Sequence, residues 1–152
     1  MGKALSIVVA CALLASASAA AATTPTSYRA QVNGICRVYV PLIKQNQEIA
    51  AAAQNASNED AVGIALGYLQ RYMLALDGHI EAVAVPSTMR TQMAPILSIL
   101  KKVDSQIQAG VAKLLAGDAK SWAAHLESVS RLGQPLNAMF TAAGLRDCTY
   151  GS

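Results

Sequence analysis

The chain has 152 residues, of which 53% are apolar, 14% charged and 5% aromatic, with 10 Gly, 5 Pro and 3 Cys. That length suits one compact domain; the apolar share excludes intrinsic disorder, and the Gly and Pro content excludes collagen-like or linker sequence. The formal charge of +3, from 12 Lys plus Arg against 9 Asp plus Glu, falls short of the concentrated basic face that nucleic acid requires, so nucleic acid is not an expected partner.

Residues 1–22 have the grammar of an export leader. Met1-Gly2-Lys3 supplies a charged start, Ala4 to Leu14 an apolar run of 11 residues, and Ala15 to Ala22 a small-residue stretch with Ala-x-Ala options at Ala17-Ser18-Ala19 and Ala20-Ala21-Ala22. A signal peptide cut near Ala19 or Ala22 is expected, because the run is shorter than the roughly 18–20 apolar residues that a membrane span needs. Val8-Val9-Ala10-Cys11 loosely resembles a lipoprotein signal, but the apolar run continues past Cys11, which is the wrong order; Cys11 is expected to leave with the leader. The domain is then 23–152. No later run approaches spanning length, which predicts a secreted or cell-envelope protein without a transmembrane anchor in its mature form.

Removal of the leader leaves two cysteines, Cys36 and Cys148. An even pair in an exported chain reads as a disulfide, here closing a loop of roughly 110 residues. The close Cys-x-x-Cys spacing of a redox or metal pair is absent.

Four helical periods follow in chain order. Tyr28, Val32, Ile35, Tyr39, Leu42, Ile49 and Ala53 step by three and four, with Asn46 as the one polar interruption; Thr26 or Ser27 is placed to cap this helix and Pro41 to kink it. Val62, Leu66, Leu69, Met73, Leu76, Ile80 and Val83 form the second stripe, capped by Ser57 or Asn58. Met93, Ile96, Leu100, Val103, Ile107, Val111 and Leu114 form the third, with Ser87 as its cap and Pro95 near its start. Asp118 caps a fourth through Trp122, Leu126, Val129, Leu132, Leu136, Phe140 and Ala143; Gly133 and Pro135 bend it, and Gly144 closes it in the left-handed conformation. No stretch alternates with period two, so no sheet is expected. The simplest packing is an all-α, antiparallel up-down-up-down four-helix bundle with Pro-kinked helices, and an even number of helices returns Cys148 to the neighbourhood of Cys36. Breaks at Pro41, Pro95 and Pro135 would instead give five or six shorter helices.

Candidate chemistry is sparse. His79 and His125 fall on different helices without the Glu-x-x-His pairs of a ferritin-like metal bundle. Met89 and Met93, four apart, could bring two sulfurs together for a soft metal or haem, yet methionine also fills helix cores. No metal site or cofactor is therefore expected. Nucleophile-elbow, zinc-protease and Ser-x-x-Lys motifs are absent, and nine acidic residues scattered over four helices offer no spacing that singles out a carboxylate pair, so the reading is non-enzymatic. Tyr68, Tyr72 and His79, at intervals of four and seven on the second helix, are the candidate ligand-lining residues.

The opening Tyr28-Arg-Ala-Gln-Val-Asn-Gly-Ile-Cys36 and the ending Ala143-Gly144-Leu145-Arg146-Asp147-Cys148 together resemble a group of small exported helical proteins of actinobacteria. In that group a Tyr…Ile-Cys opening and a Gly-Leu-x-x-Cys ending bracket a variable Ala- and Leu-rich middle. The resemblance covers about fifteen residues. It implies an exported bundle with Cys36 and Cys148 as a structural pair, and no assigned activity. The functional expectation is binding, either to an envelope protein or to a small apolar ligand between the helices, with a Met/His metal or haem carrier as the alternative.

Overall fold

A computed structural model describes residues 23–149; the leader expected over 1–22, with Cys11, lies outside them. The described residues are all-helical, without a strand. They form α1 (Pro25–Asn55), α2 (Glu59–Ala82), α3 (Arg90–Leu115), α4 (Ala119–Gly133) and α5 (Leu136–Ala143), with short 3₁₀ turns at Ser87–Met89 and Arg146–Cys148.

The helix starts follow local side-chain chemistry. α1 is capped by Thr24, not by Thr26 or Ser27: Thr24 Oγ1 accepts from the Ser27 amide at 3.1 Å, and Ser27 Oγ accepts from the Thr24 amide at 3.0 Å. Pro25 explains the earlier start, since its ring presets the backbone for the first helical position and lacks the N–H that would go unsatisfied there. Asn58 caps α2 by accepting from the Ala61 amide at 3.1 Å, and Asp118 caps α4 by accepting from the Ser121 amide at 3.0 Å. Ser87 opens the 3₁₀ turn ahead of α3 and makes no capping bond.

The prolines act differently. α1 continues through Pro41 and α3 through Pro95. The fourth segment divides at Pro135: Gln134 and Pro135 keep right-handed helical angles, but proline has no N–H to donate, and the ladder restarts with Met139 N–H donating to the Pro135 carbonyl at 3.1 Å. Gly144, at φ +76°, ends α5 in the left-handed region, and the Leu145 amide reaches back to the Phe140 carbonyl at 2.8 Å.

α1 packs along α2 and α3 along α4, while α2 meets α3 over a shorter contact. The tightest packing lies at one end, where Tyr28, Val32, Cys36, Ile80, Met93 and Phe140 are almost wholly buried. Cys36 and Cys148 are joined there, with Cα atoms 4.9 Å apart. Polar groups reinforce the joint: Arg29 Nε donates to the Ala143 carbonyl at 2.8 Å and Asn33 Nδ2 to the Gly144 carbonyl at 3.1 Å, while Asn33 Oδ1 accepts from the Asp147 amide at 3.2 Å. The other end is looser, with Ile64, Leu115 and Leu126 exposed.

Candidate functional site

The loosely packed half contains a partly open cavity of about 370 Å³ between the two helix pairs. α2 contributes Leu66, Leu69 and Met73; α3 contributes Leu100, Val103 and Ile107; α4 contributes Trp122, Leu126 and Val129. These are stripe positions read from the sequence. Their side chains face one another, as amphipathic helices require, yet α2 and α4 do not close up, and the space between them remains.

Gly110 helps to set the far wall. A Cβ at that position would stand 2.8 Å from the Trp122 ring and 2.9 Å from His125 Cβ, so only glycine lets α4 approach α3 this closely. Beside it His125 Nδ1 donates to Gln106 Oε1 at 2.7 Å, which orients that imidazole.

Among the described residues Asp77 is the only ionisable one of the cavity wall; the other polar wall residues are Gln47, Gln70, Ser130 and Asn137. Its side chain belongs to a residue only 2% exposed. Burial, first, pushes its carboxyl up to about 9, helped by a hydrogen bond to Asp104 across the α2–α3 contact and by the negative charges of Asp104 and Glu81. Asp104 is raised too, by burial and by Glu81, while its hydrogen bond with Asp77 works in the opposite direction. Asp77 thus holds the proton and donates it to the Asp104 carboxylate. Asp104 Oδ1 is buried without a hydrogen-bond partner. Glu81 is itself paired with Lys101, whose Nζ lies 3.9 Å away and whose side chain is largely exposed.

None of Tyr68, Tyr72 and His79 is among the residues of this wall. Tyr68 and Tyr72 stack on each other with ring centroids 6.3 Å apart, and Tyr68 is exposed. His79 lies against Tyr39 of α1 with ring centroids 5.5 Å apart and the planes tilted by 30°, and the two rings sit in a separate, shallow depression with Ile35, Val38 and Val83. Met89 and Met93 are both buried in the core at the disulfide end. Among the described residues no group of three or more His, Cys, Asp or Glu side chains is placed to hold a metal ion.

Sequence reasoning missed Asp77 and Asp104, although a signal was present. Asp77 stands four residues after Met73 and three before Ile80; Asp104 stands four after Leu100 and three before Ile107. Each aspartate therefore occupies the apolar face of its helix.

No family model matches this chain, and neither does a curated protein or a solved structure. Among the described residues no helix is long and apolar enough to cross a membrane.

Proposed function

We propose that this chain is an exported, non-enzymatic binding protein that takes a small, largely apolar ligand between its two helix pairs. The cavity carries the reading. Its volume of about 370 Å³ falls within the ~300–1,000 Å³ typical of small-molecule sites, and its wall combines predominantly aliphatic and aromatic side chains with a few polar ones. At ~30 Å³ per water in the liquid, such a space would hold on the order of a dozen non-hydrogen atoms.

Export is supported by the leader-like residues 1–22 and by the Cys36–Cys148 bridge, a bond that persists in oxidising compartments. The likeness of its two cysteine segments to small exported actinobacterial proteins points the same way. The helix course belongs to the proposal as well: short turns at 56–58 and 116–118 favour consecutive helices of opposite direction, an up-down-up-down course bent at Pro41 and Pro95.

Trp122, the only tryptophan of the chain, lies in the cavity wall and makes binding directly readable. N-phenyl-1-naphthylamine titrated into the unreduced protein is expected to give saturable dye fluorescence excited by energy transfer from Trp122. Dye emission that rises linearly without saturating, or an unaltered Trp122 emission, would remove the basis for a ligand cavity.

A further inference from the structure

We propose that the ligand is a cationic amphiphile, an amine on an aliphatic or aromatic body, whose ammonium seats against Asp77 where α2 faces Asp104 of α3. This rests on the reading of the cavity as a ligand site and adds the charge of its occupant.

Two observations select a cation. The cavity wall is apolar apart from neutral amide and hydroxyl groups and a single carboxyl, that of Asp77, so the wall offers one place for a charged head. Around that carboxyl the charges are unbalanced. Asp104 faces it from α3 and Glu81 lies one helical turn on along α2, whereas Lys101 of α3 lies 3.9 Å from Glu81 and is directed to solvent. The polar groups that α1, α4 and α5 bring to the cavity wall, Gln47, Ser130 and Asn137, are all neutral.

In the protein alone a proton retained on Asp77 relieves this imbalance. An ammonium relieves it better, since it brings a full positive charge and three N–H donors to a site of clustered carboxyl oxygens. An alcohol brings one donor and no charge. A carboxylate amphiphile would add another anion to the cluster.

The proton balance follows. At neutral pH an alkylammonium enters, its N–H donates to the Asp77 carboxylate, and the proton that Asp77 carried passes to solvent. About one proton is released per amine bound. If the amine arrives as the free base it takes the Asp77 proton itself, and the bound pair is the same.

Decylamine, decanol and decanoate, each below its micellar range, are titrated into the unreduced protein at neutral pH, read by Trp122 fluorescence and by calorimetry in two buffers of different ionisation enthalpy. Decylamine is expected to bind at least about tenfold more tightly than decanol, equivalent to ~1.4 kcal/mol, with decanoate weakest. Buffer dependence should report about one proton released per amine. Asp77→Asn should bring decylamine to parity with decanol and abolish the release. Decanol binding as well as decylamine overturns the amine assignment and leaves the cavity reading standing, whereas failure of all three ligands overturns both. A preference for amine that survives Asp77→Asn also overturns the proposal, since the ammonium then sits elsewhere. Should Asp77→Asn fail to fold, the proton count on the unaltered chain decides, and zero release refutes the assignment.

Discussion

At Asp77 a single side chain departs from the chemistry of its surroundings. An aspartate in the apolar face of α2 can remain there because it shares a proton with Asp104, which lowers the cost of removing two carboxyl groups from water. The arrangement links stability to pH. Above the ordinary aspartate value near ~3.9 the unfolded chain releases the proton, while the folded chain keeps it up to about 9. Folding then takes up a proton, so stability declines as pH rises across that window. Asp77→Asn is expected to flatten the decline, measured as urea midpoints at a series of pH values; an unchanged slope would show that Asp77 titrates normally in the fold. This pair was legible in part. The spacing of Asp77 from Met73 and Ile80 places it on the buried face, but spacing within one helix does not reveal that Asp104, 27 positions later, lies opposite. Only the packing of α2 on α3 joins them.

At the scale of elements, the sequence predicts the helices well and their closeness poorly. The second and third stripes appear where the three-and-four stepping puts them, the fourth is divided between α4 and α5 with Leu126 exposed, and Asp118 and Gly144 act as cap and left-handed terminator as read. Along α1 the buried line runs through Cys36, which is held in the disulfide, and Ile43, and leaves Ile49 exposed. Asn46 stays buried on this line by donating its side-chain amide to the Leu42 carbonyl of its own helix at 2.8 Å. What periodicity does not carry is the gap between facing stripes, which depends on side-chain volume at single contact points. Gly110 is such a point. Alanine there gains about 1 kcal/mol of helix propensity but drives its methyl into the Trp122 ring, and overpacking typically costs about 1–3 kcal/mol. Gly110→Ala is expected to lose up to about 2 kcal/mol net in denaturant unfolding and to shift the Trp122 emission maximum. A more stable variant with unaltered emission would mean that α3 and α4 have slack at this crossing.

The whole molecule is asymmetric along its length, with a tightly packed end closed by the disulfide and a looser end containing the cavity. The bridge constrains a separation of 112 residues, and the chain-entropy estimate for such a loop is ~4–5 kcal/mol. Replacing Cys36 and Cys148 together by alanine is expected to lower stability by roughly 2–5 kcal/mol in guanidinium unfolding. A loss below about 1 kcal/mol would assign the joint instead to the Arg29 and Asn33 hydrogen bonds. The position of those bonds also orders events in time. Arg29 and Asn33 find their acceptors only at Ala143 and Gly144, so neither can bond until more than a hundred further residues have been synthesised. α1 and α2, neighbours in sequence, can pair long before that. A chain stalled partway through synthesis would therefore display Tyr28, Val32 and a free Cys36 thiol until its last helical turn arrived.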